Sequence, residues 1–347
     1  ADNEIEYLKE NGIDIKTLGY VRGDYKLSYK GEALSIESLE EGYEERLEKV
    51  FPVKAGSETG KEVPELSYVS NEKYSAKIKS MKPKVLIPVF PGTNCEYDSA
   101  KAIASAGLEP DIVLIKNLSS KDIEESINEL ERRIKESQII FIPGGFSGGD
   151  EPDGSAKFIS SFFRNPSIKE AVSDLLDNRD GLAAGICNGF QALIKLGLVP
   201  YGKIVDIDES CPTLSYNTIR RHQSMIVRTK ISSDKSPWLM NVNVGDVYNV
   251  VISHGEGRFI CDEKLLKSLA DKGQIVTQYV DINNRLTMDI SYNPNGSAWA
   301  VEGICSPDGR VFGKMGHSER IGKGLYQNVE GNYDIGMFRS AKKYFDI

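Results

Sequence analysis

The sequence predicts an α/β fold: an open, mostly parallel sheet with helices on both faces, a strand-rich C-terminal part, and a small α/β fragment ahead of them. Three observations predict it. Between residues 84 and 196, short apolar runs alternate with longer stretches of helical periodicity. The apolar runs are continuous rather than alternating, as strands buried on both faces require. Beyond Pro200 the helical periodicity gives way to strand-like segments with turns at Asn293-Pro294-Asn295-Gly296 and Pro307-Asp308-Gly309.

Residues 1–52 read as a small α/β piece. A helix is expected over Glu4–Lys9, strands over Thr17–Val21 and Tyr25–Tyr29, and a charged helix over Ser38–Val50 that ends at Phe51-Pro52. Such a piece is too short to bury a good core alone. The chain opens on Ala1-Asp2-Asn3-Glu4 with no initiator Met, and the piece reads as the tail of a longer domain. Residues 53–83 are polar and aperiodic, as in a linker. Within them, Gly56-Ser57-Glu58-Thr59-Gly60-Lys61 imitates a phosphate loop. The spacing is a residue short, Glu62 stands where a magnesium-binding hydroxyl belongs, and no strand precedes it.

Residues 84–347 read as one domain. Strands are expected over Val85–Phe90, Ile112–Ile115, Ile139–Ile142 and Leu182–Ile186. Helices alternate with them over Tyr97–Ala106, Asp122–Ser137, Phe158–Leu176 (broken near Pro166) and Gly189–Leu196.

Composition narrows the function. The 347 residues carry a net charge of −8, with no basic stripe for a nucleic-acid backbone. No apolar run approaches the roughly 18–20 residues of a membrane span, and Ala1-Asp2-Asn3-Glu4, with no basic start and no apolar stretch, does not read as a signal peptide. The five cysteines are odd in number, widely spaced and without a C-x-x-C pair. That fits neither a disulfide framework nor a zinc site, so a reducing cytoplasm and no metal are expected.

The sharpest motif is Gly185-Ile186-Cys187-Asn188-Gly189, between an apolar strand and an apolar helix. It has the form of a nucleophile elbow with Cys in place of Ser. The glycines make room for a strained turn that presents Cys187 at the carboxyl end of the sheet. The helix that follows favours negative charge at its N-terminus, and the Asn188 N–H is placed for an oxyanion. The other four cysteines lack this context and read as structural.

A cysteine nucleophile needs a base, usually an imidazole held by a third group. Two of the three histidines have a carboxylate two residues on: His254-Gly255-Glu256 and His317-Ser318-Glu319. Either pair could meet on one side of an extended segment. His317 follows a strand over Arg310–Met315, whereas His254 lies in a glycine-bounded run that reads as a loop approaching a ligand. The residues alone leave both open. His222 has no neighbouring carboxylate and reads as a surface or packing residue. The loop Pro143-Gly144-Gly145-Phe146-Ser147-Gly148-Gly149-Asp150 follows a strand and can offer an N–H as a second oxyanion donor.

From about Lys84 onward, these segments together resemble a class I (triad-type) glutamine amidotransferase domain, with its flavodoxin-like sheet. They are most similar to the glutaminase domains of the phosphoribosylformylglycinamidine synthase family. The resemblance rests on Pro91–Glu96, the loop Gly144–Asp150, the elbow Gly185–Gln191, His254–Gly257, Asn293–Ser297, and Asp308–Arg310 leading into His317–Arg320.

It implies a triad of Cys187, His317 and Glu319, with Gly145 and Asn188 as oxyanion donors and Gln191 at a glutamine-contacting position. His254 and Glu256 then belong to a loop near the active site or a domain interface. It further implies hydrolysis of L-glutamine to supply ammonia for an ATP-dependent step of purine biosynthesis. No cofactor is implied in the glutaminase domain itself; ATP and magnesium would bind mostly outside this chain, on synthetase domains whose end is represented by residues 1–52. The final motif departs from the family's M-P-H-P-E-R: it reads Met315-Gly316-His317-Ser318-Glu319-Arg320, with both prolines lost. Phe190 stands where the family has a smaller residue. The rival readings are another cysteine hydrolase of this fold, such as a peptidase, and a non-catalytic regulatory module.

Overall fold

The computed structural model describes residues 2–50, 62–147 and 156–346. The chain divides into two compact units, Ala1–Lys54 and Ala55–Ile347. The smaller unit holds α1 (Asp2–Glu10), the antiparallel pair β1 (Lys26–Tyr29) and β2 (Glu32–Ser35), and α2 (Ile36–Glu48), capped by the Ser35 hydroxyl. No residue of α2 is buried, and Tyr29, Leu34, Tyr43 and Leu47 are exposed.

The strand expected over Thr17–Val21 is absent; those residues form no strand or helix, with Leu18, Tyr20 and Val21 exposed. Strand propensity describes fit to a half-buried pleated surface, and none is offered there. The second strand of the hairpin is instead Glu32–Ser35, just past a left-handed turn at Lys30 and Gly31.

The larger unit follows the expected alternation. Its first part is β3 (Lys84–Val89), α3 (Glu96–Ser105), β4 (Glu109–Leu114), α4 (Ser120–Glu136), β5 (Ile139–Ile142), α5 (Lys157–Phe163), α6 (Pro166–Asp177), β6 (Leu182–Ile186) and α7 (Asn188–Leu196). The break between α5 and α6 comes from Asn165-Pro166: proline cannot continue a helix but starts one well, and the Asn165 side chain caps the new N-terminus. After the one-turn α8 (Leu198–Tyr201) come β7 (Thr213–Tyr216), β8 (Gln223–Ile231), β9 (Val247–His254), β10 (Glu256–Ile260), α9 (Glu263–Asp271), β11 (Ile275–Val280), β12 (Val301–Cys305), β13 (Val311–Lys314) and α10 (Met337–Phe345).

One nine-stranded sheet organises the unit, in the order β4-β3-β5-β6-β13-β12-β11-β8-β9. The pairs from β4 to β13 are parallel. Those from β13 to β9 are antiparallel. The strand-rich C-terminal part therefore extends the same sheet and makes it mixed rather than mostly parallel. The chain steps from β3 to β4 in one direction and returns to β5 and β6 in the other. The loops after β3 and β5 diverge at that switch point, where open α/β sheets form a crevice.

Of the segment read as a linker, residues 62–83 are described, and they lie against this unit: Tyr68 bridges to Ser233, and Ala76 and Ser80 donate to the carbonyls of Tyr344 and Phe345. Single inserted residues of this kind leave no periodicity to read. The phosphate-loop imitation lies outside the described residues.

The core fills both sides of the parallel strands; β5 and β6 are buried along their whole length. Phe141 of β5 is fully buried against Phe338 of α10, ring centroids 5.3 Å apart. Phe141→Ala is expected to cost about 3–5 kcal/mol in denaturant unfolding. Leu27→Ala, on the 57% exposed Leu27 of β1, should change it by less than about 0.5 kcal/mol. A mild Phe141→Ala would contradict this placement of the core.

Candidate active site

Cys187 sits between β6 and α7 with φ +54° and ψ −109°, a conformation that L-residues adopt only under constraint. The flanking glycines are a steric necessity. A Cβ on Gly185 would lie 2.5 Å from the Gly189 carbonyl group, and one on Gly189 would lie 1.9 Å from the Ile142 oxygen. Backbone cannot yield as a flexible side chain would, so only glycine lets β6, the turn and α7 close on β5. The Cys187 N–H donates to the Lys314 carbonyl (2.9 Å), and its sulfur faces the Ser253 carbonyl at 3.7 Å.

That first hydrogen bond explains how the base arrives. Strand β13 is parallel to β6, with Lys314 opposite Ile186. Both strands thus end at the same edge of the sheet. Cys187 is one residue past β6, and His317 is three residues past β13. The His317 N–H donates to the Val251 carbonyl at 2.8 Å, pinning the loop to β9. The distance from His317 Nδ1 to Glu319 Oε1 is 2.6 Å, and both side chains are essentially inaccessible.

Gly144 lies between the two halves. A Cβ there would come within 2.8 Å of His317 Cε1, 3.2 Å of Cys95 Sγ and 3.4 Å of Cys187 Cβ. The absent side chain is the space in which thiol and imidazole meet. Gly145, with φ +147°, passes so close to the Pro91–Glu96 turn that a Cβ would lie 2.6 Å from the Gly92 oxygen. The remainder of the glycine-rich loop, 148–150, lies outside the described residues.

Asn188 and Gln191 are buried on the first turn of α7. The Ser147 N–H donates to Asn188 Oδ1 (3.2 Å), and Asn188 Nδ2 donates to Gln191 Oε1 (2.9 Å). Gln191 Nε2 donates to the Glu256 carbonyl. Gln191 thereby ties the elbow helix to β10.

The run His254–Gly257 is not an open loop. His254 ends β9, Glu256 starts β10, and both are buried. The close approach that requires Gly257 is to the His254 ring itself, 2.5 Å from a Cβ placed there, not to a ligand. His254 Nδ1 bonds Asn217 Oδ1 at 3.1 Å, and Nε2 is buried without a partner. Burial, with repulsion from His317 and His222, pushes its pKa down to about 3, so it stays neutral. His222 is exposed and bonds Ser253 Oγ at 2.9 Å.

Charge therefore concentrates on the other pair. Burial opposes charge on His317, but the Glu319 carboxylate and the sulfurs of Cys187 and Cys95 outweigh it and raise the imidazole well above its ordinary value. Burial likewise opposes ionisation of Glu319, yet the His317 imidazolium holds its carboxyl below the usual range. Both shifts favour an imidazolium–carboxylate pair beside the elbow cysteine.

One neighbour escaped the sequence reading. Cys95, read as structural, puts its sulfur 3.9 Å from His317 Nδ1 and accepts from Arg320 Nη2 at 3.1 Å. Its sequence signals were its place in the loop after a strand of the parallel part and its membership of the Pro91–Glu96 segment that carries the resemblance. Cys95, His317 and Glu319 also offer ligand atoms within 4.8 Å of one another, the spacing of a cation site. The 2.6 Å His317–Glu319 bond and the guanidinium on the sulfur engage some of the same atoms. Among the described residues, no helix is long and apolar enough to cross a membrane.

Known proteins share this arrangement of chain. The family profile of the CobB/CobQ-like glutamine amidotransferase domain matches residues 82–345. Phosphoribosylformylglycinamidine synthase subunit PurQ of Methanococcus maripaludis is 35% identical over 266 residues, covering 76% of this chain and 90% of that protein. The subunit of the same name from Aquifex aeolicus is 30% identical over 250 residues, covering 72% of this chain and 95% of that one. A chain in the structure of PurLQS from Thermotoga maritima superposes with a TM-score of 0.55 at 24% identity, covering 77% of this chain and 100% of its own. At that identity the likeness speaks for the fold.

The buried pair should respond to pH at both ends. His317, raised in the fold, adds stability that is complete below the unfolded imidazole value of about 6.5 and is lost as pH rises through the folded value. Glu319, lowered in the fold, adds stability that is complete above the unfolded carboxyl value of about 4.3 and is lost as pH falls through the folded value. Glu319→Gln is expected to destabilise by about 3 kcal/mol near neutrality. The deficit in melting temperature should narrow in acid, and a constant deficit down to about pH 3 would refute the pairing.

Proposed function

The chain belongs to the CobB/CobQ-like glutamine amidotransferase family, and from that premise we propose that it hydrolyses L-glutamine through a thioester on Cys187. The observation that supports this most is the convergence, across Gly144, of the elbow cysteine and the buried His317–Glu319 pair.

The Cys187 thiolate attacks the side-chain amide carbon of glutamine. The Gly145 and Asn188 N–H groups hold the tetrahedral oxyanion. His317, already protonated, gives its proton to the departing nitrogen; the C–N bond breaks and ammonia leaves. The neutral imidazole then takes a proton from water, whose oxygen attacks the thioester. Breaking the C–S bond restores thiolate and imidazolium and releases the side-chain carboxylic acid, which loses its proton to solvent or to the freed ammonia and leaves as glutamate. Glu319 keeps the imidazole oriented throughout and stabilises its charged form whenever it carries the proton. Gln191 shapes the glutamine pocket by tying α7 to β10.

The relatives are subunits of phosphoribosylformylglycinamidine synthase. The ammonia made here accordingly feeds the conversion of formylglycinamide ribonucleotide to its amidine in purine biosynthesis. The partner is a synthetase, and ATP and magnesium belong to that part. Residues 1–52 are the end of such a synthetase domain, which accounts for a unit whose hairpin and second helix leave their apolar side chains in solvent. Expressed alone, residues 1–52 should melt without cooperativity; a sharp two-state transition would count against this assignment.

The catalytic reading is tested without the synthetase. A diazoketone analogue of glutamine should place one adduct on Cys187, detected by peptide mass spectrometry and blocked by excess glutamine. Cys187→Ala should abolish both adduct and glutamine hydrolysis. Hydrolysis at native rate by Cys187→Ala would sink the proposal.

A further inference from the structure

Lys314 and Glu302 form an ion pair in the middle of the sheet, N to O 3.0 Å, with side chains 1% and 0% exposed. The proposed chemistry uses neither. A buried ion pair is a poor means of stabilising a fold, because well-packed apolar residues in its place are often neutral or better. Its bonds show where its effect goes. Lys314 Nζ also donates to the Gly316 carbonyl (3.1 Å) and to Ser318 Oγ (3.0 Å). Glu302 Oε1 accepts the Gly316 N–H at 2.7 Å, and Oε2 accepts from Thr277 Oγ1 at 2.5 Å. Gly316 and Ser318 are the two residues that flank His317.

The site is shaped for this. Gly303 leaves room for both partners: a Cβ there would lie 2.7 Å from Thr277 Oγ1 and 2.9 Å from Lys314 Cβ. Gly316 must be bare too, since a Cβ would meet Val250 Cγ2 at 2.6 Å and Glu302 Oε1 at 2.9 Å. Besides the Gly316 carbonyl, the groups gripped at 316 and 318 are an N–H and a hydroxyl, neither of which a proline could supply.

We propose that the buried Lys314–Glu302 pair positions the imidazole of His317 by clamping the residues on either side of it. Lys314 and Glu302 are positioning residues; neither touches the reacting atoms. The inference rests on the reading of His317 as the acid and base. A segment without prolines can swivel, and small misplacement of a catalytic group costs large factors in rate. The clamp supplies through hydrogen bonds the rigidity that the backbone lacks.

The test follows inactivation of the full chain by the diazoketone analogue of glutamine, which separates the half-saturating concentration from the maximal rate. The apolar triple variant Thr277→Val, Glu302→Leu, Lys314→Met removes the clamp together with its buried partners. It should melt cooperatively, keep its half-saturating concentration within about two-fold, and lose about ten-fold or more in maximal rate. Ser318→Ala, which leaves the ion pair intact and removes one grip, should lose about three-fold. Should the triple variant fail to fold, Ser318→Ala decides alone. A native maximal rate in the folded triple variant and in Ser318→Ala, or a change confined to half-saturation, would overturn the clamp. His317→Asn separates the premise: if it inactivates normally, the reading of His317 itself fails and the clamp falls with it. If it is slow while the clamp variants are native, only the clamp is wrong.

Discussion

The parallel pairing of β13 with β6 is the contact on which the site depends. It joins segments more than a hundred residues apart and sets Lys314 opposite Ile186. Because the strands run in the same direction, both end at one edge of the sheet. The residue after β6 becomes the elbow cysteine, and the loop after β13 becomes the imidazole segment. An antiparallel β13 would carry His317 to the opposite edge. A slip of one residue would turn its side chains to the other face of the sheet. The remaining antiparallel strands then serve as a wall: β9 anchors the His317 N–H, and β12 supplies Glu302.

Exclusion of water follows from steric demands met by glycine. Gly144, Gly185 and Gly189 let three strand ends and one helix approach until no side chain would fit between them. In the space that remains, an ion pair is weakly screened, so the Glu319 carboxylate, with the two cysteine sulfurs, raises the imidazole against its own desolvation. The neighbouring His254 shows the opposite outcome. It is equally buried, but its partner is the neutral Asn217 amide, and it stays uncharged. Two histidines at one strand edge are thus assigned different charge states by what each touches.

How much of this was legible depended on the range of the forces involved. The elbow was legible because its cause is local: a strained turn between strand and helix needs small neighbours, and Gly185 and Gly189 stand where collisions would occur. The alternation of the parallel half was equally plain, down to the break at Pro166. The strand over Thr17–Val21 failed because propensity without a partner does not make a sheet. Helix α9, helix α10 and the place of Cys95 were missed, although the apolar spacing of Met337, Phe338, Ala341, Tyr344 and Phe345 carried a helical period that could have been read.

The sequence by itself determined the α/β alternation, the elbow and the short list of histidines, since periodicity and glycine sterics act between residues near in the chain. Its resemblance to a family singled out His317. Only the tertiary structure decided how that histidine is held, which strands lie beside it, and that Lys314 meets Glu302 beneath it. Those are consequences of strand order and register. They join residues whose neighbourhood exists only once the sheet has formed, and no spacing along the chain encodes them.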